Sequence, residues 1–192
     1  MSRMITMQWR NTASTYGVVA KFLHWTIVVL IIAQFILAEW ADELPDGIDK
    51  LAILSRHKSI GMLVFLLAIV RIGWRLANRG APAPVPMPRR QQVAAAAGHG
   101  LLYLLLLAQP LTGWAMSSAA NYPVTLFGWV QFPPLVPASH DLHEALEELH
   151  EGTFVALATV AVLHALAALY HHFFMKDDSL RRMLPFGGRR AS

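Results

Sequence analysis

Four histidines lie in or beside long apolar runs: His24 in KFLHWTIVVL, His57 in SRHKSIGMLV, His150 in ELHEGTFVAL and His164 in AVLHALAALY. Two neutral imidazoles can fill both axial positions of an iron porphyrin, leaving no open site for oxygen or substrate, and such a centre carries electrons. Four such residues in apolar surroundings point to two haems buried in a membrane bundle. His150 and His164 are 14 residues apart on what reads as one continuous helix. Fourteen steps of roughly 100° return to within about 40° of the starting direction and rise about 21 Å. A single helix can therefore present imidazoles to two stacked metal centres.

The competing reading is that these histidines bond to neighbouring helices and do nothing else. Ionisable residues in transmembrane segments are uncommon and usually functional, so the set of four favours ligation even though any one alone would not.

The elements that must position them follow from composition. The chain has 192 residues, 55% of them hydrophobic and only 15% charged, too little charge to cover a water-soluble domain of this size. Apolar runs from Val18 to Ala38, Ile60 to Ala77, Val93 to Met116 and Gly152 to Phe174 each approach the ~20 residues needed to cross a bilayer. The expected fold is all-α, a four-helix transmembrane bundle enclosing two haems. It forms one integral membrane domain over residues 1–192, with helices near 18–38, 58–77, 93–116 and 141–174. The first run lacks a small-residue cleavage site and holds His24 inside its apolar stretch, so it reads as a retained span rather than a secretory signal. The absence of cysteine excludes disulfides, thiolate-held iron-sulfur clusters and covalent haem attachment through C-x-x-C-H. Any haem must be held by histidine or methionine.

Charge sets the orientation. Arg3, Arg10 and Lys21 precede or open helix 1; Arg71, Arg75, Arg79, Arg89 and Arg90 cluster around the connection of helices 2 and 3; Lys176, Arg181, Arg182, Arg189 and Arg190 follow helix 4. Acidic residues such as Asp42, Glu43, Asp46, Glu144 and Glu147 occupy the other two connections. By the positive-inside rule both termini and the middle loop are cytoplasmic, and the net charge of +4 reflects topology, with no nucleic-acid partner implied. The proline-alternating stretch from Ala81 to Pro88 reads as a short extended strap. The proline-rich, aromatic segment from Ser117 to Ala138 reads as an apolar loop poorly suited to a regular helix and placed at the membrane interface, with Ser139 or Asp141 capping the helix that follows.

Topology then assigns depth. His24 lies near the cytoplasmic start of helix 1 and His164 about two-thirds of the way along helix 4 towards the cytoplasm. These two can share one haem. His57 opens helix 2 and His150 opens the apolar part of helix 4, both on the periplasmic side, and can share the other. Gly61, Ala20, Gly152, Ala161 and Ala168 are small residues where a macrocycle can approach a backbone, as well as ordinary membrane packing.

The chain resembles the bacterial cytochrome b561 family along nearly its whole length. The resemblance rests on His24-Trp25, the helix 2 opening around His57 and Gly61, the Val70-Arg71 step followed by Arg75, and the final block LHALAALYHHFFMKDDSLRRMLP. It implies two haem b groups in a bacterial inner-membrane protein. Residues matching His24 and His164 would ligate the cytoplasmic-side haem, and those matching His57 and His150 the periplasmic-side one. The segment LFGWVQFPPLVPASHDLHEALEE is longer and richer in histidine than a minimal member needs.

Other residues carry two readings each. His171, two turns beyond His164, lies with His172 and Lys176 at the cytoplasmic boundary, where a quinone would find hydrogen-bond donors and protons; interfacial histidines that only meet headgroups are equally common. Arg71 and Arg75 suit haem propionates, or serve as positive-inside anchors. His99 suits an interhelical hydrogen bond or a propionate contact. His140 and His143 with Glu144 and Glu147 have spacings compatible with zinc, although a solvated acidic helix face explains the same residues.

The resulting expectation is a membrane cytochrome moving electrons between the periplasmic side and the quinone pool, in contact with membrane lipid. The resemblance makes superoxide a candidate donor, with ubiquinone as acceptor: a superoxide:ubiquinone oxidoreductase. The acidic outer loops disfavour capture of an anion, with Arg56 and Lys58 beside His57 the local exception. The alternatives are a cytochrome b anchor and electron acceptor for a periplasmic redox protein, such as a dehydrogenase or hydrogenase subunit, and a non-redox membrane protein with metal-binding histidines.

Overall fold

The computed structural model describes residues 8–12, 15–78 and 87–185. Arg3, Arg79, Arg189, Arg190 and most of the Ala81 to Pro88 strap lie outside the described residues. Four helices run along the chain: α1 (Val18–Glu43), α2 (Ile48–Ala77), α3 (Arg89–Ala119) and α4 (His140–Phe173). All four are long and apolar enough to cross a bilayer. Together they form a four-helix transmembrane bundle, in which backbone polar groups are satisfied inside each span.

The helices extend past the apolar runs. α2 starts at Ile48, about ten residues before the expected opening near 58, so His57 sits inside the helix and not at its mouth. Asp49, Lys50, Arg56 and Lys58 interrupt the hydropathy of this stretch without interrupting its helicity. α4 begins where Ser139 caps it, its hydroxyl accepting from the Leu142 N–H at 3.3 Å. It continues unbroken through both His150 and His164. α3 contains Pro110, tolerated in a membrane helix where neighbouring groups satisfy the freed carbonyl.

The segment between α3 and α4 forms no helix. It contains an antiparallel hairpin of β1 (Val124–Leu126) and β2 (Val130–Phe132), with Thr125 opposite Gln131. Its turn is closed by the Trp129 N–H donating to the Leu126 carbonyl at 3.0 Å, and Phe127 (φ 53°) and Gly128 (φ 77°) both adopt left-handed backbone. Positive φ at both central positions is the type I′ signature, and glycine at the second removes half of its steric cost.

Around the bundle α1 packs on α2, α2 on α3, and α3 on α4. Among the described residues, α1 and α4 have no Cα atoms within 8 Å of each other. They meet through side chains: Phe35 stacks on Phe154 with ring centroids 5.8 Å apart. At the end of the bundle away from the hairpin the chain after α4 folds back beneath α1, where Trp25 Nε1 donates to the Met183 carbonyl at 2.9 Å and Thr15 Oγ1 to that of Arg182 at 3.4 Å. The bundle is thus held open along its α1–α4 side and tied at two levels.

Candidate functional site

Helical register decides which histidines stand level. An antiparallel α1–α4 pair that sets Phe35 against Phe154 also sets residue 165 level with His24, one residue from His164. α2 and α4 run in the same direction, and His57 approaches His150 with ring centroids 6.4 Å apart and planes at 79°. A parallel pair with that register places Arg71 level with His164, because Arg71 lies 14 residues beyond His57 and His164 lies 14 beyond His150. Arg71 is accordingly within electrostatic reach of His24, His99 and His164. The structure therefore gathers the histidines at two depths: His57 and His150 towards the hairpin end, His24, His99 and His164 towards the other.

The His150 ring is held by α3. Thr112 Oγ1 lies 3.0 Å from its Nδ1 and Gln109 Nε2 lies 3.2 Å from its Nε2. Thr153, one turn along α4, donates its hydroxyl to Gln109 Oε1 or to the His150 carbonyl. Gly113 lets the two helices come this close, since a Cβ there would stand 2.8 Å from His150 Cε1. The local sequence QPLTG therefore provides two polar contacts and one cleft to a single imidazole. Thr112 and Gln109 went unnoticed in the sequence because two polar residues in an apolar helix usually satisfy only each other or the backbone.

On the other side, Gln34 Nε2 donates to the His57 carbonyl at 2.9 Å, while His57 Nδ1 is buried without a hydrogen-bond partner among the described residues. Two residues on, Ser59 donates to the Thr125 carbonyl at 2.8 Å and accepts from the Phe127 N–H at 3.1 Å. This pins the hairpin over the His57 end of the bundle. Lys58 lies over the Tyr122 ring, 5.3 Å from its centroid. A cavity of ≈ 330 Å³ lies beside the hairpin, between Trp114 and Ser118 of α3 and Tyr122, Gln131 and Phe132. None of the histidines lines it.

At the end of the bundle away from the hairpin Arg71 Nε donates to Tyr103 Oη at 3.3 Å, and the guanidinium carbons of Arg71 and Arg75 lie 5.9 and 5.6 Å from the Tyr103 ring centroid. Neither arginine has a carboxylate partner among the described residues. His99 meets the next helix through an edge-on ring contact with His164, centroids 5.1 Å apart, and not through a hydrogen bond. His171 Nδ1 pairs with Asp177 Oδ2 at 2.6 Å, both side chains largely buried. Asp177 also accepts from the Ser179 N–H at 2.8 Å. Burial works to raise this carboxyl, but the Ser179 and His171 hydrogen bonds outweigh it and hold it below the ordinary carboxylate range. Asp177 follows His171 by six residues across the end of α4, a separation with no helical meaning, so sequence reasoning passed over it.

The donor set fits haem better than a metal held by protein alone. Among the described residues no three His, Cys, Asp or Glu side chains converge on a metal position. His140 pairs with Glu144 at 3.3 Å, and His143 Nδ1 lies 3.2 Å from the Met116 carbonyl. A haem brings its own equatorial nitrogens and needs only two from protein. His57 and His150, from separate helices with ring centroids 6.4 Å apart, are the pair that would hold it.

Comparison with known proteins agrees with this geometry. The family model described as prokaryotic cytochrome b561 matches residues 15–186. The chain is 34% identical over 181 residues to cytochrome b561 homolog 2 of Escherichia coli (strain K12), covering 93% of this chain and 95% of the relative. It is 32% identical over 164 residues to the probable superoxide oxidase CybB of Yersinia pestis, covering 85% and 92%. Over 170 residues it is 28% identical to cytochrome b562 of Cereibacter sphaeroides, covering 84% and 90%. A match spanning all four helices, on a bundle with these histidines, places the chain in the prokaryotic cytochrome b561 family, membrane proteins that carry b-type haem.

Proposed function

We propose that the protein binds two haem b groups and moves electrons between the periplasmic side and the quinone pool, as a superoxide:ubiquinone oxidoreductase of the bacterial inner membrane. The observation that carries this reading is the His57–His150 approach from separate helices, 6.4 Å between centroids, on a helix that presents His164 at a second depth. When bound, each haem would supply a one-electron couple.

This chain's residues divide the remaining work. His57 and His150 hold the periplasmic-side haem, and His24 and His164 the cytoplasmic-side one. Arg71 and Arg75, charged and without a carboxylate partner, match the propionates of the latter. His171 offers a hydrogen bond to a quinone head group while Asp177 fixes its ring and, with cytoplasmic water near, supplies a route for protons. Both termini and the α2–α3 connection face the cytoplasm. Lys58 and Arg56 are the cations nearest the periplasmic pair in sequence and provide local attraction for superoxide amid acidic loops. In the overall reaction two superoxide anions become two dioxygen molecules, and one ubiquinone takes up two electrons and two cytoplasmic protons to become ubiquinol.

The second reading, a cytochrome b anchor for a periplasmic dehydrogenase or hydrogenase, draws on the hairpin tip, where Trp129 is 87% exposed beside exposed Phe127 and Val130. Purified protein in ubiquinone-containing liposomes separates the two. Ubiquinol formed on exposure to a superoxide-generating system, and abolished by superoxide dismutase, supports the first. A stoichiometric periplasmic subunit that co-purifies, with no superoxide-dependent ubiquinol, supports the second.

A further inference from the structure

Of the two imidazoles proposed to share the periplasmic-side haem, only one has its second ring nitrogen held by a side chain. Thr112 Oγ1 is 3.0 Å from His150 Nδ1, whereas Nδ1 of His57 is buried with no partner among the described residues. We propose that Thr112 is a positioning residue for His150: it fixes the tautomer with the proton on Nδ1, so that Nε2 presents a lone pair to iron. The proposal rests on the reading of His150 as a haem ligand.

Proton bookkeeping in the cluster supports it. A threonine hydroxyl has one hydrogen, and that of Thr112 is directed to the Gln109 carbonyl at 2.9 Å, three residues back on its own helix. The oxygen's lone pairs then remain for a donor, and the His150 Nδ1–H is the donor at hand. The opposite nitrogen agrees. Gln109 Oε1 faces the Thr153 hydroxyl, and its NH₂ group is the end that lies 3.2 Å from His150 Nε2. An amide NH₂ only donates, so Nε2 is an acceptor there. Both ends of the ring report the same tautomer, and it is the one that ligation through Nε2 requires, the Gln109 amide giving up that lone pair when iron takes it.

Geometry adds a second constraint. Gly113 opens the α3 backbone against Cε1 and Nδ1 of this ring, at 2.8 and 3.2 Å from a Cβ position. Thr112 grips the ring one residue away from that opening. The proton position is thus set by α3 before any ligand arrives. A hydrogen bond from Nδ1–H to an outer acceptor also raises the basicity of the ligating nitrogen, favouring the more highly charged ferric state.

The test uses the full-length protein in detergent with three variants: Thr112→Val, which keeps shape and loses the hydroxyl, Thr112→Ser, which keeps the hydroxyl, and His150→Ala. Haemin titration of apoprotein gives affinity at each site, and a spectroelectrochemical titration gives each haem's midpoint potential. T112V should weaken binding at one site by about 10–100-fold and raise that haem's potential, leaving the other haem unchanged; T112S should match wild type in both. T112V matching wild type in affinity and potential overturns the proposal, as does T112V weakening both sites alike. Should T112V fail to accumulate, Thr112→Ala is read by the same two measurements with the same outcomes. H150A keeping both haems at full affinity would instead remove the ligation reading on which the proposal stands.

Discussion

Gly113→Ala is the smallest change that should disable one metal site while leaving the fold intact. The added Cβ would stand 2.8 Å from His150 Cε1, against the 3.4 Å at which ordinary contact begins, so ring or helix must move by roughly 0.6 Å. A displacement of that size is comparable to the margin between the 3.0 and 3.2 Å contacts of His150 with Thr112 and Gln109 and a broken hydrogen bond. It also exceeds the ~0.5 Å within which a functional constellation must be held. Strain of about 1–3 kcal/mol is partly offset by the helix propensity of alanine over glycine, about 1 kcal/mol, so global stability changes little. The expected outcome is a protein that accumulates normally and melts within a few degrees of wild type, yet binds haem at the His57/His150 site tenfold or more weakly. Haem content by pyridine haemochrome, with low-temperature difference spectra to tell the two sites apart, reads this directly. G113A with full haem content and an unchanged spectrum would refute the claim that α3 positions His150.

Two further outcomes follow from the same contacts. Ser59→Ala removes both hydrogen bonds that pin the hairpin, its donation to the Thr125 carbonyl and its acceptance from Phe127 N–H. It should cost about 1–3 kcal/mol and expose the 124–132 segment to limited proteolysis; unchanged cleavage would show that the hairpin is held elsewhere. Asp177 titrates below its ordinary value, so its stabilising contribution is complete above about pH 4 and disappears as pH falls through the lower folded-state value. Wild type should therefore lose thermal stability relative to Asp177→Asn as pH drops below about 4, and parallel curves there would contradict the pairing with His171.

The bundle and the histidine set were legible because both are periodic. Four apolar runs of spanning length announce four helices, and the 14-residue interval between His150 and His164 fixes a shared face whatever the neighbours do. What escaped detection depends on contacts without periodicity. α2 continues through a charged opening because helicity needs no hydrophobicity where a helix leaves the bilayer. The hairpin was hidden by its turn, Phe127-Gly128 in place of the Asn-Gly or Asp-Gly that would have signalled it, and by strands of only three residues. Trp25 and Met183 meet across 158 positions of sequence, and no local pattern encodes that. The grip of Thr112 and Gln109 on His150 was likewise invisible, since it exists only once α3 and α4 are packed.

The central claim is that imidazole pairs from separate helices hold one haem at each of two depths. Pyridine haemochrome per mole of purified chain should give two b haems for wild type and about one each for His57→Ala and His164→Ala, each substitution losing a different haem. A wild-type ratio near one, or a single substitution that removes both haems from a protein still folded, would contradict it.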